Sequence, residues 1–335
     1  MKAMILAAGF GTRLFPLTID RTKPAIPFLG KPLVGYVAGY IAKFGFRDIV
    51  VNLHHQPQSV INALGDGSRF GVRINYTLEE PNILGTAGAL DNAREFLEDD
   101  TFLIVNGKII TDIDISKALE THKKTGALAT MVLKENPKRE RFTEVFTENG
   151  FVTGFGDFPT QNSKLKTQNS PLMFTGIHIL EPRVFEYIPR GVYSDIVPTF
   201  YNPAIKNGER IAAHITGGNW FELSTIPRYL DISLAMMNGA NVFKGENCSL
   251  ETSAKISNSI IWDEVKIQCG AELNRVIIAD GVSIKGGERF ENAAIVRADM
   301  VRNCREVPEK ALQGEFVGDN YVVPLAAEKQ EQASV

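Results

Sequence analysis

Residues 6–27 read LAAGFGTRLFPLTIDRTKPAIP, an order suited to chemistry on a polyphosphate. Glycine at positions 9 and 11 lets a backbone approach phosphate closely and turn its N–H groups inward. Arg13 and Lys23 add fixed positive charge, and Pro16, Pro24 and Pro27 stiffen the chain around them. The string predicts a triphosphate cradle at the end of a buried first strand, Met4-Ile5-Leu6-Ala7-Ala8. A dinucleotide fold would need G-x-G-x-x-G, but Leu14 holds the third glycine position and a proline-rich basic segment follows it. A Walker A loop, G-x-x-x-x-G-K-[ST], is absent. The bland alternative is a glycine turn of an ordinary α/β protein. A lone G-x-G would favour that reading; the whole string does not.

The string resembles the opening of the sugar-1-phosphate nucleotidyltransferases, whose pattern is L-A-A-G-x-G-T-R-L-x-P-L-T followed by K-P. Leu6 to Gly9, Gly11 to Leu14, Pro16 to Thr18, Lys23 and Pro24 match every fixed position. The resemblance implies that Leu6, Ala7, Ala8, Gly9, Gly11 and Thr12 border the nucleotide. It implies further that Arg13 contacts the phosphates and the leaving pyrophosphate, and that Lys23 reaches the α-phosphate. A second segment, Leu84-Gly85-Thr86-Ala87-Gly88-Ala89-Leu90, equals the family's L-G-T-A-G-A-L turn. It implies nucleotide contact by Gly85, Thr86 and Gly88, although a tight strand–helix turn alone would explain the same residues.

The implied reaction is attack by a sugar 1-phosphate on the α-phosphorus of a nucleoside triphosphate, with pyrophosphate leaving. Two anions must meet, so positive charge and in-line positioning are needed, and the family uses Mg²⁺ held by carboxylates. Here the sequence departs from the pattern. The family's Asn-Gly-Asp, whose aspartate binds the metal, is Asn106-Gly107-Lys108. A protonated lysine cannot ligate a cation, but its ammonium could sit where the metal would, so Asn106 and Lys108 stay nucleotide candidates. Asp112 follows closely as either a shifted ligand or a cap for the next helix. In Trp220-Phe221-Glu222-Leu223-Ser224-Thr225, Glu222 stands where the family has its second metal aspartate; its alternative is a surface pair with Arg228. The family's E-K-P for the sugar phosphate is Asp157-Phe158-Pro159, so Asp157 could replace the glutamate. Thr175 and Gly176 match sugar-pocket positions, and His178 reads as a satisfied core histidine.

The 335 residues, 44% hydrophobic, suffice for more than one core and predict about two domains. A net charge of −3 without a basic tract argues against nucleic acid as a partner. No stretch is long and apolar enough to span a bilayer, and the N-terminus runs straight into the first strand without a signal peptide. Cys248, Cys269 and Cys304 lack C-x-x-C spacing and read as reduced thiols of a cytoplasmic protein.

Strand and helix patterns alternate over residues 1–235: strands at 49–53, 74–78, 102–105 and 127–133, helices at 34–45, 59–64, 87–97 and 116–125. This predicts an α/β, Rossmann-like, mostly parallel sheet with ligands at the carboxyl ends of its strands. Over 241–325 aliphatic residues recur every five or six positions, at Ile256, Ile261, Ile267, Leu273, Ile278 and Ile284. That spacing predicts a short hexapeptide parallel β-helix, with an antiparallel module as the alternative. The family resemblance implies a left-handed coil, and a homo-oligomer built through it. Residues 326–335 form a polar tail.

Domain order most resembles the mannose-1-phosphate guanylyltransferases, which implies GTP and mannose 1-phosphate as substrates, with uridylyl and thymidylyl transfer open. A second reading is a nucleotide-sugar-binding regulatory subunit that has lost turnover, suggested by Lys108, Phe158 and Glu222 together.

Overall fold

The computed structural model describes residues 1–156, 171–304 and 306–325. They form two compact units. The first comprises Met1–Gly9, Val34–Pro57 and the described residues of Leu64–Trp220; the second comprises Phe10–Leu33, Gln58–Ala63 and the described residues from Phe221 onward. The opening string is therefore divided between units at Gly9 and Phe10.

The first unit is built on a nine-stranded sheet. Its strands are β1 (Lys2–Leu6), β2 (Asp48–Leu53), β3 (Arg73–Leu78), β4 (Phe102–Asn106), β5 (Ala129–Glu135), β6 (Glu144–Glu148), β7 (Phe151–Phe155), β8 (Leu172–Leu180) and β9 (Ile211–Ile215). The spatial order is β3-β2-β1-β4-β8-β5-β9-β7-β6. The apolar runs of β1 and β4 are near-continuous because both are buried on two faces; Ala3, Met4, Ile5, Phe102, Leu103, Ile104 and Val105 are all 0% exposed.

The sheet is mixed, which corrects the mostly parallel expectation. Pairings β1–β2, β2–β3, β1–β4 and β5–β9 are parallel, whereas β4–β8, β8–β5, β9–β7 and β7–β6 are antiparallel. A hairpin is one source. Asn149 and Gly150, both at positive φ (49° and 82°), join β6 to β7 as a two-residue turn. Asn-Gly at that spacing is a hairpin signal that was legible. The predicted helix over 87–97 is two segments, Gly85–Asn92 and Arg94–Leu97, divided at Ala93.

Because β2 and β3 lie on one side of β1 and β4 lies on the other, the order in which strands are added across the sheet reverses between β1 and β4, which run parallel. In open α/β sheets the crevice at such a switch point receives ligands. Leu6 is in register with both Asn52 and Asn106, so a row of polar side chains flanks it at the carboxyl ends.

His178 lies on β8, fully enclosed, with Nδ1 2.6 Å from the Tyr201 hydroxyl. Burial pushes its pKa down to about 3 and Tyr201's well up, so a neutral imidazole accepts from the phenol. This is the satisfied core histidine expected from sequence. The unfolded chain holds that imidazole near pKa 6.5, so above that pH the group costs nothing. As pH falls from about 6.5 towards 3, the unfolded state takes up a proton that the folded state refuses. Stability then drops by up to about 1.4 kcal/mol per pH unit. His178→Gln keeps an acceptor for Tyr201 and should flatten the fall of Tm between pH 6 and 4. An unchanged slope would assign the acid sensitivity elsewhere.

In the second unit, short strands stack in parallel. Ser249 pairs Lys266, which pairs Ser283; Lys255 pairs Glu272, which pairs Arg289. Each step is 17 residues, as 272 − 255 and 289 − 272 show. The aliphatic positions named above fall into the same step: 256 and 273, 261 and 278, 267 and 284. Ile261, Ile267, Leu273, Ile278 and Ile284 are at most 2% exposed and form the core of this unit. Burial of one aliphatic side chain per short strand, each worth roughly 1.5–3 kcal/mol, explains why five- and six-residue spacings persist. A last strand, Asn320–Pro324, adds antiparallel to Arg289–Arg297, and Glu315–Val317 pairs antiparallel on its outer side.

Candidate functional site

The candidate residues are distributed over both units, and each group is built within its own. In the first unit the turn after β1 is held by a chain of buried and half-buried hydrogen bonds. Ala7 N–H donates to Asn52 Oδ1 at 2.8 Å. Asn52 Nδ2 donates to Glu79 Oε1 at 2.6 Å, and Leu84 N–H donates to Glu79 Oε2 at 2.7 Å. Asn52 and Glu79 are 3% and 1% exposed, so the carboxylate is desolvated and offset by these two donors. The network ties the backbone at Ala7 to the Leu84 turn through two side chains from the ends of β2 and β3. Sequence reading passed over Asn52. The available signal was one asparagine in an otherwise apolar strand, Ile49-Val50-Val51-Asn52-Leu53.

The glycines of the 84–90 segment have a specific cause. Gly85 has φ +74°, and a Cβ there would lie 2.6 Å from the Ser194 carbonyl oxygen. A Cβ at Gly88 would lie 2.7 Å from the Val192 carbonyl oxygen. Ala87 and Gly88 N–H groups both donate to Ser194 O, and Thr86 donates from N and Oγ1 to Asp195 Oδ1. The N-terminal donors of helix Gly85–Asn92 thus bind the chain's own 194–195 segment, which answers the usual need for an external acceptor. Close approach of the 192–195 segment accounts for both glycines. Asp195 was not singled out from sequence, and no local signal marks it.

Asn106, Gly107 and Lys108 leave β4 at the switch point. Gly107 N–H donates to Leu6 O at 2.9 Å, and a Cβ at Gly107 would crowd that same oxygen at 2.8 Å. Lys108 is half-buried in the following turn. Gly176 sits at φ +78° in the irregular stretch of β8 between Phe174 and His178, where a Cβ would overlap the Asn106 carboxamide. Gly176 therefore makes room for Asn106. Thr175 is fully buried; its hydroxyl donates to Val132 O at 2.8 Å and its carbonyl accepts from Trp220 Nε1 at 2.9 Å. Asp157 lies outside the described residues.

Asp112 accepts from Asn219 N at 2.6 Å and from Asn219 Nδ2 at 2.7 Å, one bond to each carboxylate oxygen. It does not cap the helix Ile115–Thr125. Asp114 does, accepting from Ser116 N–H.

The second unit holds Arg13 and Lys23. Gly11 has φ +71°, and a Cβ there would stand 2.8 Å from Lys23 Cβ and 3.2 Å from Lys23 N. Only glycine lets Lys23 lie against this turn. Leu14 N–H and Thr18 Oγ1 both donate to Gly11 O, which closes the one-turn helix Thr12–Leu14. Arg13 projects from that turn and is exposed, whereas Lys23 is only 9% exposed. Gly9, in the first unit, has open space where a Cβ would stand. Glu222 is 8% exposed, so it is a buried carboxylate and not a surface one. The Arg228 guanidinium Nε donates to its backbone carbonyl at 3.3 Å, so Arg228 lies beside Glu222.

Among the described residues, no group of three or more His, Cys, Asp or Glu side chains could hold a metal by protein ligands alone. Mg²⁺ binds through one or two carboxylates, with substrate phosphates and water completing the shell, and a single buried carboxylate such as Glu222 fits that mode. Asp112, with an amide donor on each oxygen, fits it less well. No helix among the described residues is long and apolar enough to cross a membrane.

A family model described as nucleotidyl transferase matches residues 2–239. A UTP–glucose-1-phosphate uridylyltransferase from Synechocystis sp. is 31% identical over 309 residues, covering 85% of this chain and 77% of its own. An N-acetylmuramate alpha-1-phosphate uridylyltransferase from Neisseria meningitidis is 33% identical over 68% of this chain and 95% of its own. Mannose-1-phosphate guanylyltransferase 1 from Arabidopsis thaliana is 28% identical over 95% of this chain and 92% of its own. A solved structure from Bacillus anthracis, described as a glucose-1-phosphate thymidylyltransferase, superposes with TM-score 0.60 at 24% identity over 72% of this chain and 96% of that one. At that identity it speaks for the fold.

Proposed function

This chain belongs to the nucleotidyl transferase family, and on that premise we propose that it joins a nucleoside triphosphate to a hexose 1-phosphate, with GTP and mannose 1-phosphate as the pair. At the coarser level it is an enzyme of the sugar-1-phosphate nucleotidyltransferase type. An oxygen of the sugar phosphate forms a bond to the α-phosphorus, and the bond from that phosphorus to the bridging oxygen breaks. The electron pair leaves with pyrophosphate.

The observation that carries the reading is Lys23, a nearly buried ammonium packed against a glycine turn that no other residue could form. A desolvated fixed cation stabilises charge developing on a phosphoryl oxygen far more than a solvated one does. Arg13, on the same turn and exposed, suits the mobile charge of departing pyrophosphate. Glu222 would hold Mg²⁺ together with the substrate phosphates. Held there, the ion would supply Lewis-acid stabilisation of the phosphoryl centre. The sugar and base choice is supported by the Arabidopsis relative's long alignment, and opposed by the Synechocystis relative's higher identity.

Parallel pairing at a 17-residue step supports reading the C-terminal strands as the left-handed β-helix, three short sides to a coil. The proposed homo-oligomer stands or falls on the mass of the native protein in solution. The three unpaired cysteines support the cytoplasmic placement.

The decisive experiment incubates the full chain with Mg²⁺, each common nucleoside triphosphate and a panel of sugar 1-phosphates, and measures pyrophosphate. GTP with mannose 1-phosphate should give the highest kcat/KM; UTP with glucose 1-phosphate winning would replace the substrate pair and keep the reaction. No release with any pair would sink the enzyme reading. Lys108, where the family resemblance places a metal aspartate, favours the regulatory-subunit reading in that event, and saturable nucleotide-sugar binding would then support it.

A further inference from the structure

The loop that carries Arg13 and Lys23 packs as part of the second unit, with the C-terminal strands. Two sets of contacts explain this. Trp262 Nε1 donates to the Tyr229 hydroxyl at 3.0 Å, and that hydroxyl donates to Pro27 O at 2.6 Å. Tyr229 and Trp262 are 0% and 3% exposed, so this relay runs through dry protein. The Tyr229 ring meets Phe28 edge-on at 5.9 Å and Trp262 at 6.3 Å. The relay thus reaches the loop four residues beyond Lys23.

The second set grips the loop two residues before Lys23. Arg21 forms an ion pair with Asp280 at 2.7 Å and with Asp20 at 2.8 Å, and its guanidinium lies 5.5 Å over the Trp262 ring. Trp262 and Asp280 sit at one corner of the strand stack, just after Ser259–Ile261 and Glu272–Ile278. Asp263 N–H donates to Asp280 Oδ1 at 3.0 Å, which orients that carboxylate from the neighbouring coil. The cleft among Pro16, Arg21, Trp262, Asp280 and Met300 has a volume of about 70 Å³, room for roughly two waters and far too little for a nucleotide. This corner is a bracket and not a second ligand site.

We propose that Trp262 and Asp280 are positioning residues, through which the C-terminal strands hold the Arg13–Lys23 loop in the geometry that receives the triphosphate. The proposal rests on the reading of that loop as the triphosphate site. Positioning effects of this kind act on catalysis because small displacements of a charged group lose much of its interaction.

The test uses the full chain with Trp262→Phe, which removes the N–H donor and keeps a ring, and Asp280→Asn, which removes the charge. Each should raise KM for the triphosphate at least fivefold and leave KM for the sugar 1-phosphate within twofold. Asp280→Glu should restore the triphosphate KM to within threefold of wild type. A purely structural role would lower Tm and apparent kcat with triphosphate KM unchanged, and that result overturns the proposal. A second arm does not need turnover. The chain has two tryptophans, so Trp220→Phe leaves Trp262 as the sole indole reporter. Titration with nucleoside triphosphate alone should change its emission saturably. Binding by calorimetry without an emission change overturns the bracket. Absence of pyrophosphate release with a saturable emission change would overturn the catalytic reading and leave the bracket standing.

Discussion

Lys23→Met is expected to lower kcat/KM for pyrophosphate release by about 100- to 1,000-fold, the usual cost of removing one preorganised charge donor from a reacting phosphoryl or acyl centre. Methionine keeps most of the aliphatic stem, so the contact with Gly11 survives, and a thermal melt of the variant separates loss of fold from loss of charge. The size of the effect follows from burial: Lys23 is 9% exposed, so little water is present to replace the lost ammonium. The loss should fall mainly on kcat if Lys23 acts at the transition state, and equally on triphosphate KM if it only binds ground-state phosphate. Arg13, exposed on the same turn, should cost less when replaced by alanine because solvent and salt screen it. A Lys23→Met enzyme within fivefold of wild type would remove Lys23 from the chemistry.

Glu79→Ala is expected to destabilise the protein by about 3–5 kcal/mol, the second large effect. The side chain is 1% exposed and accepts from Asn52 Nδ2 and Leu84 N–H. Removing it leaves one buried and one half-buried donor unpaired, the buried one costing about 1–3 kcal/mol, and a cavity where the side chain stood adds about 2–5 kcal/mol of the kind seen for large-to-small changes. For a unit of this size, that corresponds to a fall in Tm of roughly 10 °C. Glu79→Gln should lose less, because its carbonyl can still serve one donor while its amide faces the other. Thermal melts of both variants with Asn52→Ala complete a cycle. Additive losses within about 0.5 kcal/mol would show that Asn52 and Glu79 do not act as one network.

Much of the candidate site was legible because its signals are local. Gly11 must adopt positive φ, and Lys23 lies only twelve positions away, so one short string encodes both the turn and the cation beside it. The aliphatic spacing from Ile256 to Ile284 is likewise local, and it reappears, buried from Ile261 onward, in a stack with a 17-residue step. The His178 reading also needed only its strand context. Half the sheet was less legible. Antiparallel pairing of β8 with β4 joins residues about 70 positions apart, and an apolar strand looks alike whichever way its neighbour runs. The Asn149-Gly150 turn did announce a hairpin, and it is the part of that error that local reading could have avoided.

By itself, then, the amino-acid order determined the family, the glycine turn with its adjacent cation, and the change from alternating strands and helices to short aliphatic-spaced strands, because glycine conformation, fixed charge and hydrophobic period act over a few residues. Only the tertiary structure decided what those residues rest on. Gly85 and Gly88 are glycine because segment 192–195 crosses them about 105 residues later, and Gly176 is glycine because Asn106 lies over it. Asn52 and Glu79 become a buried network only once β1, β2 and β3 are in register. Asp280 meets Arg21 across some 260 residues of chain. Contacts at such separations leave no periodic trace, since each depends on two surfaces that come together only when the whole core has formed.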